Sequence, residues 1–232
     1  MDTSLFFAHS VSRKEWHCGA VYWLFQLLLL SALLNGFNAL LPAPLPGSEI
    51  NALYFLINFL SVAFIFRSYW KQLFLLLPET GFQTVLVAIP GFSLYWLLNL
   101  LTGQLITAID PDFFNINDQA MHALVAENYP LMFIGTVFLV PVTEECLYRA
   151  LLFRGLYERS AALAWTVSVL LFAAIHIVRY IGIYEPATLL LCFLQYIPAG
   201  VCLAGAYRLS GSLLCPILIH AAVNLVGMLA LR

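Results

Sequence analysis

Charge is what this sequence has least of. Only 9% of its 232 residues are charged, against roughly 25% in a typical soluble domain, and 62% are hydrophobic. Too little polar surface is available to clothe a water-soluble globule, so a soluble enzyme is excluded. A net charge of -2, from 10 Lys and Arg against 12 acids, says little about partners when most of the surface faces lipid, and no nucleic-acid partner is expected. Cysteines are few: Cys18, Cys146, Cys192, Cys202 and Cys215 lie mostly in apolar surroundings without C-x-x-C spacing, which argues for packing residues. No internal repeat, low-complexity tract or soluble module interrupts the chain, and residues 1–232 read as a single membrane domain.

What the chain does have is long apolar runs. Its mean hydropathy is +0.92, and uncharged or nearly uncharged stretches long enough to cross roughly 30 Å of hydrocarbon as helix recur along it. They centre near residues 19–41, 50–70, 81–109, 131–154, 161–182, 186–207 and 212–231. The expectation is an all-α, polytopic transmembrane helical bundle of about seven spans. The first run is too long for a signal-peptide core and lacks a small-residue cleavage site, so it is expected to be retained. Arg13, Lys14, Arg67, Lys71, Arg154, Arg159 and Arg208 all fall at ends that share one side, whereas residues 42–49 and 110–129 contain no Lys or Arg. By the positive-inside rule the N-terminus is cytoplasmic, with Arg179 and Arg232 on the unfavoured side. A small chain of this kind suits a bacterial plasma membrane.

The longest polar connection, residues 110–130, carries aspartates and amides but lacks the glycine and twelfth-position glutamate of a calcium loop. It reads as an external loop with a short interfacial helix. Ionisable groups inside the spans are a different matter. Each Asp, Glu or Arg at the centre of a membrane helix costs about 2.5–3.5 kcal/mol, so Glu144, Glu145 and Arg149 together cost about 8–10 kcal/mol before pairing. Glu145 and Arg149 stand four apart with the acid first, the arrangement that lets them pair on one face. Glu144 points about 100° away, toward the face of Tyr148, without a local counter-charge.

Two histidines lie at comparable depth on later runs. Phe172 precedes His176 by one turn, and Asn224 follows His220 by one turn. If these helices pack together, Glu144, His176, His220 and Asn224 converge in one cavity, with possible pocket residues in Tyr148 and Phe172. A carboxylate with imidazoles activates water, and an amide beside an imidazole donates to an oxyanion. Taken singly, each of these groups is equally compatible with helix-to-helix hydrogen bonding. The combination is what points to hydrolysis.

In order and spacing, E-E-C-L-Y-R at Glu144–Arg149, F-A-A-I-H at Phe172–His176 and H-A-A-V-N at His220–Asn224 resemble the E-E-x-x-x-R, F-x-x-x-H and H-x-x-x-N motifs of the CPBP family. These are the CAAX-prenyl-protease and bacteriocin-processing enzymes, a group of intramembrane endopeptidases. The resemblance covers about residues 131–228, which it marks as the catalytic core. It implies that Glu144 and His176 activate the attacking water, that His220 and Asn224 stabilise the oxyanion, and that Glu145 and Arg149 hold the first helix in place. Prenyl-protease members have eight spans where this chain offers seven, and prenyl specificity is not carried over.

The expected activity is therefore endoproteolysis of peptides with a hydrophobic, lipidated or leader-type segment, with membrane lipid as surroundings. Two other classes compete: a non-catalytic immunity or scaffold protein that keeps the pocket for binding, and a proton-coupled transporter, against which stands the absence of inverted repeats. No cofactor is expected in the glutamate-driven version. The alternative cofactor is zinc, held by Glu144, His176 and His220; the missing H-E-x-x-H pattern and the position of Asn224 favour the metal-free version.

Overall fold

The computed structural model describes residues 10–232. These residues fold into helices, α1 (Arg13–Ala39), α2 (Gly47–Ile65), α3 (Arg67–Leu75), α4 (Leu77–Ile109), α5 (Ile116–Glu127), α6 (Tyr129–Tyr157), α7 (Ala161–Ile175), α8 (Pro186–Ser210) and α9 (Leu214–Ala230). No strand occurs among them beyond an isolated bridge between Ile181 and Tyr184. The protein is an all-α membrane bundle. Apolar side chains such as Val21, Leu28, Leu60, Phe64, Phe82 and Ile89 stand exposed around it, as they do on a surface that faces lipid.

Five helices, α1, α2, α4, α6 and α8, are long and apolar enough to cross a membrane. The two remaining apolar runs form shorter helices of 15 and 17 residues, α7 and α9, with a rise of about 22–26 Å, short of roughly 30 Å of hydrocarbon. α7 stops early because the chain turns after Ile175, passes through a 3-10 turn at Val178–Tyr180 and reaches Gly182 at φ 83°, a backbone conformation open to glycine.

α6 is the centre of the bundle. It packs against α1 and α2 on one side and α7, α8 and α9 on the other, while α4 lies outside against α8 and α9. Its core residues Leu147, Tyr148, Leu151 and Phe153 are almost completely buried, together with Phe66, Tyr69, Leu203 and Tyr207 from its neighbours. Close approach of α7 to α8 depends on Gly200, where an added Cβ would stand 3.2 Å from the Val169 Cα of α7. The neighbouring atom is backbone and cannot move aside.

Polar bonds tie the first two helices to each other and to α3. Tyr22 donates to Asn58 Oδ1 at 2.7 Å, and Tyr54 donates to Gln26 Oε1 at 2.7 Å. Glu15, only 5% exposed, closes a capping box with Ser12 at the start of α1. Its other oxygen accepts from Ser68 N at 2.9 Å and Tyr69 N at 3.0 Å, the free amides at the N-terminus of α3. A carboxylate satisfies both those donors and the positive end of the helix dipole. Glu15→Ala is accordingly expected to destabilise the protein by about 1.5–3 kcal/mol, the worth of hydrogen bonds to a charged group; thermal unfolding in detergent micelles measures it, and an unchanged midpoint would contradict the role.

Candidate active site

The three motif helices α6, α7 and α9 meet at one carboxylate. Glu145 is wholly buried, and so is its partner Arg149. Arg149 Nε lies 3.1 Å from Glu145 Oε2, and Nη1 donates to Oε1 at 3.2 Å. The guanidinium also reaches Gly200 O of α8 at 3.4 Å and sits 4.2 Å above the centre of the Phe172 ring of α7. Glu145 Oε1 then bonds Nδ1 of His220, on α9, at 2.9 Å. Pairing on one helix is what the four-residue spacing predicts. The link from Glu145 to His220 is an addition made by the fold, and it gives the imidazole a defined orientation: Nδ1–H donates to Glu145, and Nε2 faces Glu144 Oε2 at 3.9 Å.

Local chain geometry explains how α6 delivers two adjacent glutamates to different tasks. Wide π-helical turns flank them, at Gly135–Leu139 and Cys146–Phe153. The first accommodates Pro141, which has no N–H to continue the ladder. Val140 N–H reaches back to Gly135 O, so neither Val140 nor Pro141 serves the Thr136 carbonyl. Asn224 of α9 does, donating through Nδ2 at 2.8 Å. Asn224 therefore fastens α9 to the disrupted turn of α6 with one amide hydrogen and retains a second.

Glu144 faces away from the buried pair, its side chain 18% exposed. Oε2 is buried with no hydrogen bond from the protein. It borders a cavity of about 40 Å³ whose lining includes Gln26, Tyr54, Asn58, Tyr148 and Ile175. Tyr148 lines the cavity. Phe172 does not; it is 2% exposed and packs between Tyr148, Arg149, His176 and His220, spacing the two imidazoles. His176 caps α7, with Nδ1 on Phe172 O at 2.8 Å and its ring stacked on Tyr196 of α8 at 3.9 Å between centres. The Nδ1–H bond to a carbonyl leaves Nε2 as the acceptor. Among the described residues no hydrogen bond or ion pair joins His176 to Glu144; the fold brings together Glu144, Glu145, Arg149 and His220 directly, with His176 across Phe172 and Asn224 one turn beyond.

Residues 126–226 match the family model for type II CAAX prenyl endopeptidase, Rce1-like. That segment contains Glu144, Glu145, Arg149, Phe172, His176, His220 and Asn224, in the arrangement just described. That match supports the resemblance of this segment to the CPBP, or CAAX-protease, family. Among curated proteins and among solved structures nothing matches. The matched family is one of peptidases, and five of the described helices are long and apolar enough to cross a membrane. The family match begins just before α6, so α1–α4 lie outside it.

Zinc held by Glu144, His176 and His220 is the competing expectation for this site. Among the described residues no three His, Cys, Asp or Glu side chains are grouped to hold a metal ion; His176 is stacked on Tyr196, and Nε2 of His220 faces Glu144 Oε2 at 3.9 Å.

Sequence reasoning singled out ionisable groups and, of the uncharged polar ones, Tyr148 and Asn224. Gln26, Tyr54, Asn58 and Thr136 were missed, although an amide in the middle of an apolar run is a signal of the same kind, only weaker. Truncating one partner of a buried ion pair strands the other charge, and Arg149→Ala is expected to cost about 3–5 kcal/mol. Loss of expression or a large fall in the unfolding midpoint in micelles is the check; a stable but inactive variant would mean that the guanidinium acts in the chemistry instead.

Proposed function

We propose that this protein is an endopeptidase that hydrolyses peptides bearing a hydrophobic, lipidated or leader-type segment, using a water activated by Glu144. The observation that carries the reading is the division of labour between two neighbouring carboxylates: Glu145 is ion-paired with Arg149 and bonded to His220, whereas Glu144 Oε2 is buried without a hydrogen bond from the protein and beside a cavity of water size. A free carboxylate inside a membrane helix is a functional group by default.

In the proposed reaction Glu144 takes a proton from water as its oxygen attacks the peptide carbonyl carbon. The resulting oxyanion is stabilised by His220 and by the second amide hydrogen of Asn224. Collapse breaks the C–N bond, and Glu144 returns the proton to the departing amine. His176, with Nε2 free to accept, assists by holding the water. No step passes through a metal. Glu145 acts through His220, keeping its ring in the orientation that presents Nε2.

Glu144→Gln is expected to abolish cleavage while the protein stays folded, because the amide has the same shape and cannot take a proton. Purified protein in nanodiscs, assayed with fluorogenic hydrophobic, prenylated and leader-type peptides, measures this. Cleavage should persist in a chelator; chelator-sensitive cleavage restored by zinc would overturn the metal-free mechanism. Asn224→Ala should slow turnover about a hundredfold to a thousandfold, with some loss of stability from the unserved Thr136 carbonyl. The reading also puts the N-terminus in the cytoplasm of a bacterial plasma membrane, on the strength of the Lys and Arg distribution. The exposed Cys18 near the start of α1 should then react with an impermeant thiol reagent from the cytoplasmic side alone; labelling from outside would reverse the topology.

A further inference from the structure

We infer that the cavity beside Glu144 is an ordered-water site belonging to the active centre, and that Gln26 of α1, held by Tyr54 of α2, is a positioning residue for Glu144. The inference rests on the reading of Glu144 as the base that activates water.

Three buried polar atoms without a hydrogen bond from the protein belong to side chains that line this one cavity: Glu144 Oε2, Gln26 Nε2 and the Tyr148 hydroxyl. Buried polar atoms are almost always satisfied, so three together at a cavity call for a common partner. They offer an acceptor, a donor and a group that is both, which is the set a water molecule needs. A volume of about 40 Å³ has room for a water or two. The Tyr148 hydroxyl approaches the indole of Trp23 without completing a hydrogen bond in good geometry.

Gln26 is built for a directional role. It is 4% exposed and opens a π-helical turn in α1, Gln26–Leu30, the same kind of wide turn that flanks the glutamates in α6. Its Oε1 accepts from the Tyr54 hydroxyl at 2.7 Å, which decides the orientation of the amide and leaves Nε2 as a donor. Tyr54 is anchored in turn, since its carbonyl accepts from Asn58 Nδ2 at 2.9 Å and Asn58 accepts from Tyr22 at 2.7 Å. A helix interface that needed only adhesion would be served by the Tyr22–Asn58 bond.

Tyr54 also borders a second pocket, of about 340 Å³, lined by Asn35, Asn38, Asn51 and Arg179 among others. Each peptide bond hydrolysed consumes one water, and Tyr54 borders both the inner cavity and this polar pocket.

The test compares Gln26→Met and Tyr54→Phe with the wild type and with Glu144→Gln, all as full-length protein in nanodiscs, on one fluorogenic peptide. Both cavity variants should lower kcat roughly tenfold to a hundredfold by misplacing the reacting groups, leave KM unchanged and lower the unfolding midpoint by no more than the loss of one interhelical hydrogen bond. A role in helix packing alone moves the midpoint and spares kcat. Wild-type kcat in both variants, a change in KM alone, or a fall in kcat that tracks a fall in the midpoint overturns the inference. Should Glu144→Gln be inactive while Gln26→Met is as fast as the wild type, the inference fails and the proposed function stands; an active Glu144→Gln defeats both.

Discussion

Everything at the centre of this protein depends on the Glu145 carboxylate. It is fully buried and shared between Arg149 on its own helix and His220 on α9. Taking a carboxylate and a guanidinium out of water costs several kcal/mol per ion, and good geometry with further hydrogen bonds is needed to offset it. Here the guanidinium gains the Glu145 oxygens, the Gly200 carbonyl and the face of Phe172. The carboxylate gains an imidazole. A single anion thereby ties α6 to α9 directly and to α7 and α8 through its cation, and specifies relative orientation more than it adds net stability.

That constraint acts together with the irregular turns of α6. Pro141 and the π-helical segments break the regular ladder near the two glutamates, and the freed Thr136 carbonyl is taken up by Asn224. In hydrocarbon an unserved backbone group costs several kcal/mol, so such breaks survive only where another helix answers them. α9 answers this one with the residue that stands one turn from His220. The irregularity and the site are two aspects of one packing arrangement, in which α6 and α9 are joined twice, by Glu145 with His220 and by Thr136 with Asn224.

The N-terminal helices have a part in this arrangement that the family match does not reach. α1 and α2 bring Gln26, Tyr54 and Asn58 to the cavity at Glu144, while their outer faces are apolar and exposed. Interhelical bonds such as Tyr54 to Gln26 are modest one at a time, about 0.6–2 kcal/mol in a membrane. Their value lies in direction: the amide of Gln26 is turned so that its donor remains available inside the bundle.

Much of this was legible from residues alone. The scarcity of charge dictates helices in lipid, because only intrahelical hydrogen bonds satisfy a backbone there. The four-residue spacing of Glu145 and Arg149 dictates their pairing, and the motifs at Glu144–Arg149, Phe172–His176 and His220–Asn224 point to the family whose model matches residues 126–226. Span number was not legible to the same degree, since hydropathy does not register the turn that ends α7 at Ile175. Nor did spacing along single helices disclose which partner each side chain meets on another. Only the tertiary structure decided that Glu145 reaches His220, that Asn224 serves Thr136, that Phe172 stands between the histidines and that Gln26 shares a cavity with Glu144. Helical periodicity determines which residues share a face, but the rotation and depth at which two faces meet are settled by packing around Gly200, Pro141 and the π turns, features whose effect depends on the whole bundle.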